Sequence, residues 1–287
     1  MEIQKLFEKL KTGMSYEEVD LPNLIKEVGR SQLIQEVLAN VGNTNSLVRE
    51  HMMGIHDRLV DEKLLTNEEY NQLFDGSLTN LFKGLGSKGD DLVFTRSFSS
   101  LYLAYFAYRD EEHGLFTQEQ YTLLLNKAID YMQKEVDRRG YVMGKGWAHA
   151  PAHGSDLLCN LVENPKFPIE YADKILDCLK FHITSQDSFD AGEERRLARV
   201  IPPLMKKGLS IDSAQTWIKS MLPQIGSEIV EYTDAEFPYV HILFKIKYFL
   251  YALYYNIGDY KESAGVKSFI QEYEPKMWGL SRSLHDN

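Results

Sequence analysis

Between Arg138 and Leu158 the chain concentrates residues able to do chemistry: Arg138, Arg139, Lys145, Trp147, His149, His153 and Asp156. Gly140, Gly144 and Gly146 lie among them and let the backbone approach a ligand or turn through positive φ. Pro151 fits only the first turn of a helix, so a helix is expected to begin between Ala148 and Pro151. His149, His153 and Asp156 then follow at spacings of four and three, which projects them from one face. Two imidazoles and a carboxylate on one face suit a divalent metal such as zinc, with positions left for water. A second chemistry also fits. The free N–H groups of a helix start attract anions, and Arg138, Arg139 and Lys145 could complete a pocket for a carboxylate or phosphate. A metal requires neutral imidazoles, whereas an anion favours protonated ones. The segment is not the zincin signature, because Ala150 stands where that motif has Glu. A third reading is structural: the histidines bond neighbouring backbone and Trp147 anchors a core.

Other candidates lie outside this segment. Arg96 and Ser97 sit within an otherwise apolar stretch, and a buried Arg demands a carboxylate partner. Asp90 and Asp91 precede that stretch, where acids complement a helix macrodipole. Residues 189–197 are dense in charge. Read plainly they form a solvated helix start; read sharply, Glu193 or Arg196 turns inward to the same pocket. Tyr248, Tyr251, Tyr254 and Tyr255 form an aromatic stripe at helical spacing, expected to pack with hydroxyls at its edge. His51 and His56 match no ligand spacing and read as structural. There is no Walker loop, dinucleotide fingerprint or nucleophile elbow.

The elements that must position these residues are helical. Leu101, Tyr105 and Tyr108 recur at threes and fours, as do Leu124, Ala128, Tyr131 and Met132. Sustained alternation is missing, so strands should be few or absent. Thr66 with Glu69, and Thr117 with Gln120, form capping boxes; Ser46 is placed to cap the helix after the turn at 42–46. Helices are expected near 2–11, 17–39, 46–62, 67–83, 92–109, 118–138, 148–162, 168–184, 190–206, 211–224, 237–256 and 260–273. Short connections imply antiparallel neighbours. From residue 46 onward the pairs recur at roughly the 40–47-residue pitch of HEAT-like units. The expectation is an all-α stack of antiparallel helix hairpins, with an α/α toroid as the alternative. No Pro-, Gly- or Ser-rich linker divides residues 1–287, which read as one helical-repeat domain with its motif-bearing centre at about 90–200.

Composition narrows the partners. The chain has 287 residues, 44% hydrophobic, enough for a sizeable core, with a net charge of −10. That charge disfavours nucleic acid and anionic membrane surfaces. Two cysteines, Cys159 and Cys178, make no disulfide framework and point to the cytoplasm. Residues 241–257 are the most apolar stretch, but Lys245 and Lys247 interrupt it and it falls short of the roughly 20 residues a bilayer demands. No export segment is expected at the N-terminus.

Three strings carry a resemblance. They are Asp91-Leu-Val-Phe-Thr-Arg96-Ser-Phe-Ser-Ser-Leu-Tyr-Leu-Ala; Glu135-Val-Asp137-Arg-Arg139-Gly140 with Lys145-Gly-Trp147-Ala-His149-Ala-Pro-Ala-His153-Gly-Ser-Asp156-Leu-Leu; and Phe189 to Ala198. Together they resemble an uncharacterised bacterial family, domain of unknown function 2785. The family's third motif carries Glu-Asp before its Arg, where this chain has Glu193-Glu194. The resemblance implies motif roles for Arg96, Asp137, Arg139, Lys145, Trp147, His149, His153, Asp156, Glu193 and Arg196, and no activity. Three functions stay open. One is binding of a small anionic or peptide-like ligand in a polar pocket. Another is hydrolysis, with or without metal, with His149 or His153 as base. The last is a purely structural scaffold. Each site reading requires Arg96, Arg139, His153 and Glu193 to meet in one water-accessible hollow. The oligomeric state is left open by the sequence.

Overall fold

A computed structural model describes residues 14–221, 240–258 and 263–282, together with Lys5, Leu6, Glu8 and Thr12. The fold is all-α, with one two-stranded ribbon among the described residues. No described helix is long and apolar enough to cross a membrane. The chain divides after Lys166 into two compact units.

The first unit carries α1 (Leu21–Val28), α2 (Arg30–Ala39), α3 (Ser46–Asp61), α4 (Asn67–Leu81), α5 (Leu92–His113), α6 (Gln118–Lys134), the ribbon strands β1 (Tyr141–Val142) and β2 (Gly146–Trp147), and α7 (Ala150–Glu163). Helix α5 is its axis. Phe94, Phe98, Tyr102 and Phe106 are buried on one side, while Ser97, Ser99, Ser100 and Ala104 are buried on others. Small side chains let a neighbouring helix come close. The most extensive helix contact is accordingly between α5 and α7, whose first turns read Ala-Pro-Ala-His-Gly-Ser. At the far end of α5 the buried Asp110 carboxylate accepts from Phe116 N at 2.7 Å, Asn164 Nδ2 at 2.7 Å and Lys166 Nζ at 2.6 Å. One carboxylate thus ties the end of α5 to the next loop and to the end of α7.

Both expected capping boxes form, Thr66 with Glu69 and Thr117 with Gln120. Helix α3 is capped one residue earlier than expected, by the Asn45 side chain accepting from Val48 N. The single helix expected over 17–39 is a 3₁₀ turn (Tyr16–Glu18) followed by α1 and α2, broken where Gly29 adopts φ 86°, a conformation helices exclude. Helix α6 ends at Lys134, four residues short of expectation, because Glu135 turns extended and buries its carboxylate.

Gly42 fixes the approach of the preceding turn to α5. A Cβ there would lie 2.7 Å from both the Cα and the N of Thr95, and backbone cannot step aside. Gly42→Ala is therefore expected to destabilise the protein by about 3 kcal/mol, at the upper end of overpacking costs. A lowered urea midpoint at unchanged slope would show it.

The second unit carries a 3₁₀ turn (Ile169–Tyr171), α8 (Ala172–Ile183), α9 (Glu193–Ala198), α10 (Ile201–Lys206), α11 (Ile211–Lys219), α12 (Val240–Asn256) and α13 (Ser263–Arg282). The helix expected over 190–206 is two short ones. Pro202 and Pro203 lack the N–H groups that would continue α9 and instead open α10. Most of the expected helix near 2–11, and parts of those near 211–224, 237–256 and 260–273, lie outside the described residues. Neither cysteine forms a disulfide and both are buried; burial pushes the Cys178 thiol up to about 12.

Candidate functional site

The first two motif strings converge on the N-terminal half of α5. Arg96 is fully buried. Its Nε donates to Glu135 Oε2 at 2.5 Å and its Nη2 to Oε1 at 3.1 Å, a bidentate pair. Nη1 donates to the carbonyls of Lys83 at 3.1 Å and Gly84 at 3.0 Å, and Nη2 to that of Ser87 at 3.3 Å. Burial alone would pull the guanidinium down, but the hydrogen bond and charge of Glu135 outweigh it and its pKa is raised. Arg96 is thus sealed from solvent and spent on protein partners. It is the structural ion pair that an apolar Arg demands, and no part of an open hollow.

The neighbouring charges are also matched. Asp137, fully buried, accepts from Gly89 N at 2.9 Å and from Arg139 Nε and Nη2 at 2.9 and 2.7 Å. Arg139 Nη2 also reaches the carbonyl of Asp90. The Asp137 hydrogen bond holds the Arg139 guanidinium above its ordinary value. Lys145 Nζ lies 2.7 Å from both carboxylate oxygens of Asp91. The loop before α5 is thereby strapped to the segment before α7. Asp91 serves as an ion-pair partner and makes no side-chain cap on α5.

The glycine-rich segment is a hairpin. Tyr141 pairs with Trp147 and Val142 with Gly146. Ala148 N to Gly140 O at 2.8 Å and His149 N to Arg139 O at 3.0 Å extend it. Beneath it lies Arg49 of α3, fully buried. Its Nη1 donates to Asn43 O at 2.6 Å, and its Nη2 to Lys145 O at 2.8 Å and Trp147 O at 3.2 Å. Its Cζ stands 4.4 Å from the centre of the Phe94 ring and 4.6 Å from that of Phe98. No carboxylate pairs with it among the described residues, its Nε makes no hydrogen bond, and burial lowers its pKa to about 10. It therefore remains a cation at neutral pH, held by carbonyl dipoles and ring faces. Gly146 makes room: a Cβ there, at φ 81°, would meet Ser46 Cβ at 2.7 Å and Arg49 Nη2 at 3.1 Å.

From the hairpin a ladder of rings descends into the core. Tyr141 meets Trp147 edge-on at 5.0 Å, Trp147 stacks on His149 at 4.6 Å, and His149 lies 5.7 Å from His153. Exposure falls along it, from 50% at Tyr141 and 40% at Trp147 to 8% at His153. Trp147 is thus no core anchor. His153 Nδ1 lies 2.8 Å from Ser97 Oγ, which also contacts the carbonyl of Ala148. A carbonyl can only accept, so the Ser97 proton goes to Ala148 O and His153 Nδ1–H donates to Ser97. A neutral His153 is therefore the Nδ1–H tautomer. Ser97, fully buried with its proton committed, positions His153 and does not serve as a nucleophile.

The metal face does not assemble. Among the described residues no group of three or more His, Cys, Asp and Glu is placed to hold a metal ion. The reason is local. Helix α7 starts at Ala150, and His149 precedes it in the left-handed conformation, φ 52° and ψ 29°. His149 therefore does not share the helical face of His153 and half-buried Asp156.

Glu193 and Arg196 belong to the second unit, in α9. The expected solvated helix start is corrected in part. Arg195 and Arg196 are exposed, but Glu193 and Glu194 are buried, and burial pushes the Glu194 carboxyl up. Glu193 Oε2 accepts from Ala191 N at 3.0 Å. In the same unit buried Lys245 donates to Ser185 Oγ at 2.8 Å and to the carbonyls of Ser185 and Asp187 at 2.5 and 2.6 Å.

Arg49 was not legible as a site residue. The sole sequence signal was a cation within an apolar helical face, the signal that did single out Arg96. The chain matches no curated protein and no solved structure. A family model described as a protein of unknown function (DUF2785) matches residues 81–255, well over half of the chain, and the protein belongs to that family.

Proposed function

We propose that the protein is a binding module for a small anionic, peptide-like ligand carrying a planar group, taken up on the Tyr141–Trp147–His149 ladder. One observation carries this reading. Arg49 is a buried cation without a carboxylate, bonded to the backbone of Lys145 and Trp147 under the ladder. Arg96, Arg139 and Lys145 each have their own acid within ion-pair distance, whereas Arg49 has none at that distance and feels only the charge of its exposed chain neighbour Glu50, so Arg49 supplies positive field to the site. A charge in a low-dielectric setting acts strongly on an opposite charge that joins it. The rings supply the apolar contact, with Trp147 in reach of solvent. The hairpin is preorganised by buried Arg49 beneath it and by the Lys145–Asp91 pair at its turn, which lowers the entropy cost of binding. His149, held in a conformation that costs a non-glycine residue about 1–3 kcal/mol, fits a site where strain serves function.

N-acetylphenylalanine, a carboxylate with an aromatic ring, is the probe. It is expected to raise the thermal midpoint saturably and to change fluorescence at Trp147, one of three tryptophans. Trp147→Ala is expected to abolish both responses, with a probe-free midpoint within about 2 °C of wild type, since the ring is substantially exposed. Its amide, N-acetylphenylalaninamide, lacks the charge and is expected to bind at least tenfold more weakly. A lack of saturable response to the acid, or equal binding of acid and amide, defeats the anion reading.

A further inference from the structure

Arg49 acts on an anion through its field alone, because its side chain is sealed beneath the hairpin. A charged ligand on the ladder needs a second cation that it can reach. Three ion pairs around the hairpin supply the candidates. Arg96 and Glu135 are both fully buried, and so is Asp137, the partner of Arg139. Lys145 and Asp91 differ, with side chains 40 and 45% exposed. Opening either of the first two pairs strands a charge in the interior. An exposed pair contributes little to stability and opens readily.

The exposed pair is also built to change partners. Lys145 stands in the turn between β1 and β2, two residues before Trp147, a span of at most about 7 Å. Its backbone is held independently of its side chain. The Lys145 N–H donates to Val142 O at 2.9 Å, and its carbonyl accepts from Arg49 Nη2 at 2.8 Å. The ammonium can therefore swing on its flexible four-carbon stem while the turn stays in place. Asp91 has no second task. It precedes the 22-residue α5 but makes no side-chain cap there, and the Leu92 N–H is taken by Asp90 Oδ1 at 2.9 Å. Among the described residues the Asp91 carboxylate bonds only Lys145, whose Nζ lies 2.7 Å from both oxygens. A free carboxylate would take the same seat. A displaced Asp91 keeps a counter-charge nearby. Arg139, raised chiefly by its hydrogen bond to Asp137, feels the charge of Asp91 as well.

We propose that Lys145 receives the ligand's carboxylate and that Asp91 is an internal competitor, holding Lys145 until a ligand displaces it; this rests on anion binding at the ladder and adds its regulation. Competition makes the site selective. A simple inorganic anion offers only its charge against a tethered carboxylate of high effective concentration. A ligand that also carries a ring adds contact with Trp147.

Titration calorimetry of the full chain with the acid and amide probes tests this. Asp91→Asn removes the competing charge at nearly constant volume. It is expected to tighten N-acetylphenylalanine at least fivefold and N-acetylphenylalaninamide less than twofold. Lys145→Met is expected to weaken the acid at least tenfold. In the double variant Asp91→Asn should bring no gain, since the cation it frees is gone. Thermal midpoints are expected within about 2 °C of wild type, as changes at an exposed pair allow. A purely structural strap predicts the opposite sign, with Asp91→Asn loosening the turn and weakening the acid. That result overturns the proposal, as does a Lys145→Met protein that binds the acid as tightly as wild type. Wild type that prefers acid to amide, with no gain in Asp91→Asn, overturns the competition and leaves the anion site standing. Equal binding of acid and amide by wild type and by Asp91→Asn overturns both.

Discussion

Arg96→Met is expected to cost about 3–5 kcal/mol, the penalty for removing one member of a buried ion pair. The loss is large because Glu135 would be left without its cation in a site with no exposure, retaining only the Asp137 N–H among the donors named here. The carbonyls of Lys83, Gly84 and Ser87 would lose their donor too. Against a total stability of roughly 5–15 kcal/mol this is a major fraction, read as a lowered urea midpoint. The double variant Arg96→Met/Glu135→Met separates charge from packing. It is expected to lose less than the sum of the single variants, because no unpaired charge remains buried. Strict additivity, or a single-variant loss below about 1 kcal/mol, would show that the pair is solvated and that the strap between the two motifs has another basis.

Arg49→Met is expected to act on both the fold and the site. Three carbonyls, of Asn43, Lys145 and Trp147, lose their donor. At about 1 kcal/mol or more for each buried group left unpaired, the loss is about 3 kcal/mol. Relief of an unpaired buried charge offsets part of it. Amide exchange over residues 141–147 should accelerate, because the hairpin loses its pin. Binding of N-acetylphenylalanine should fall more than tenfold. Arg49→Lys separates the two effects. An ammonium keeps the charge but cannot reproduce a planar fork over two rings, so it is expected to destabilise the hairpin similarly while retaining more affinity than Arg49→Met. If Arg49→Met binds the probe as well as wild type with its hairpin intact, the buried cation is not what draws an anion there.

The candidate site was half legible. Sequence placed Arg96, Asp137, Arg139, Lys145, Trp147, His149 and His153 in family motifs, and the first unit gathers all of them around α5 and the hairpin. It did not show the partners they find there. Lys145 and Arg139, read as cations for a ligand, are matched to Asp91 and Asp137. Trp147, read as an anchor in the structural alternative, is a partly exposed rung. The helix begins at Ala150, within the expected range, but the His149–His153–Asp156 face also assumed that His149 continues the helix, and its left-handed conformation takes it off that face.

What the sequence determined by itself is what neighbours along the chain decide. Apolar spacing of three and four made the fold helical; capping boxes at Thr66 and Thr117 set helix starts; paired prolines and glycines set the breaks. These are interactions within a turn or two, where residue types fix the outcome. Tertiary structure alone decided which charges are buried and with whom. Arg96 finds Glu135 across 39 residues, and Arg49 finds the Trp147 carbonyl across 98. At such separations any of many acids or carbonyls is an equal candidate on sequence. The choice falls to packing, because in the water-excluded interior each partner must meet its group at hydrogen-bond distance or leave it unpaired at a cost of kilocalories.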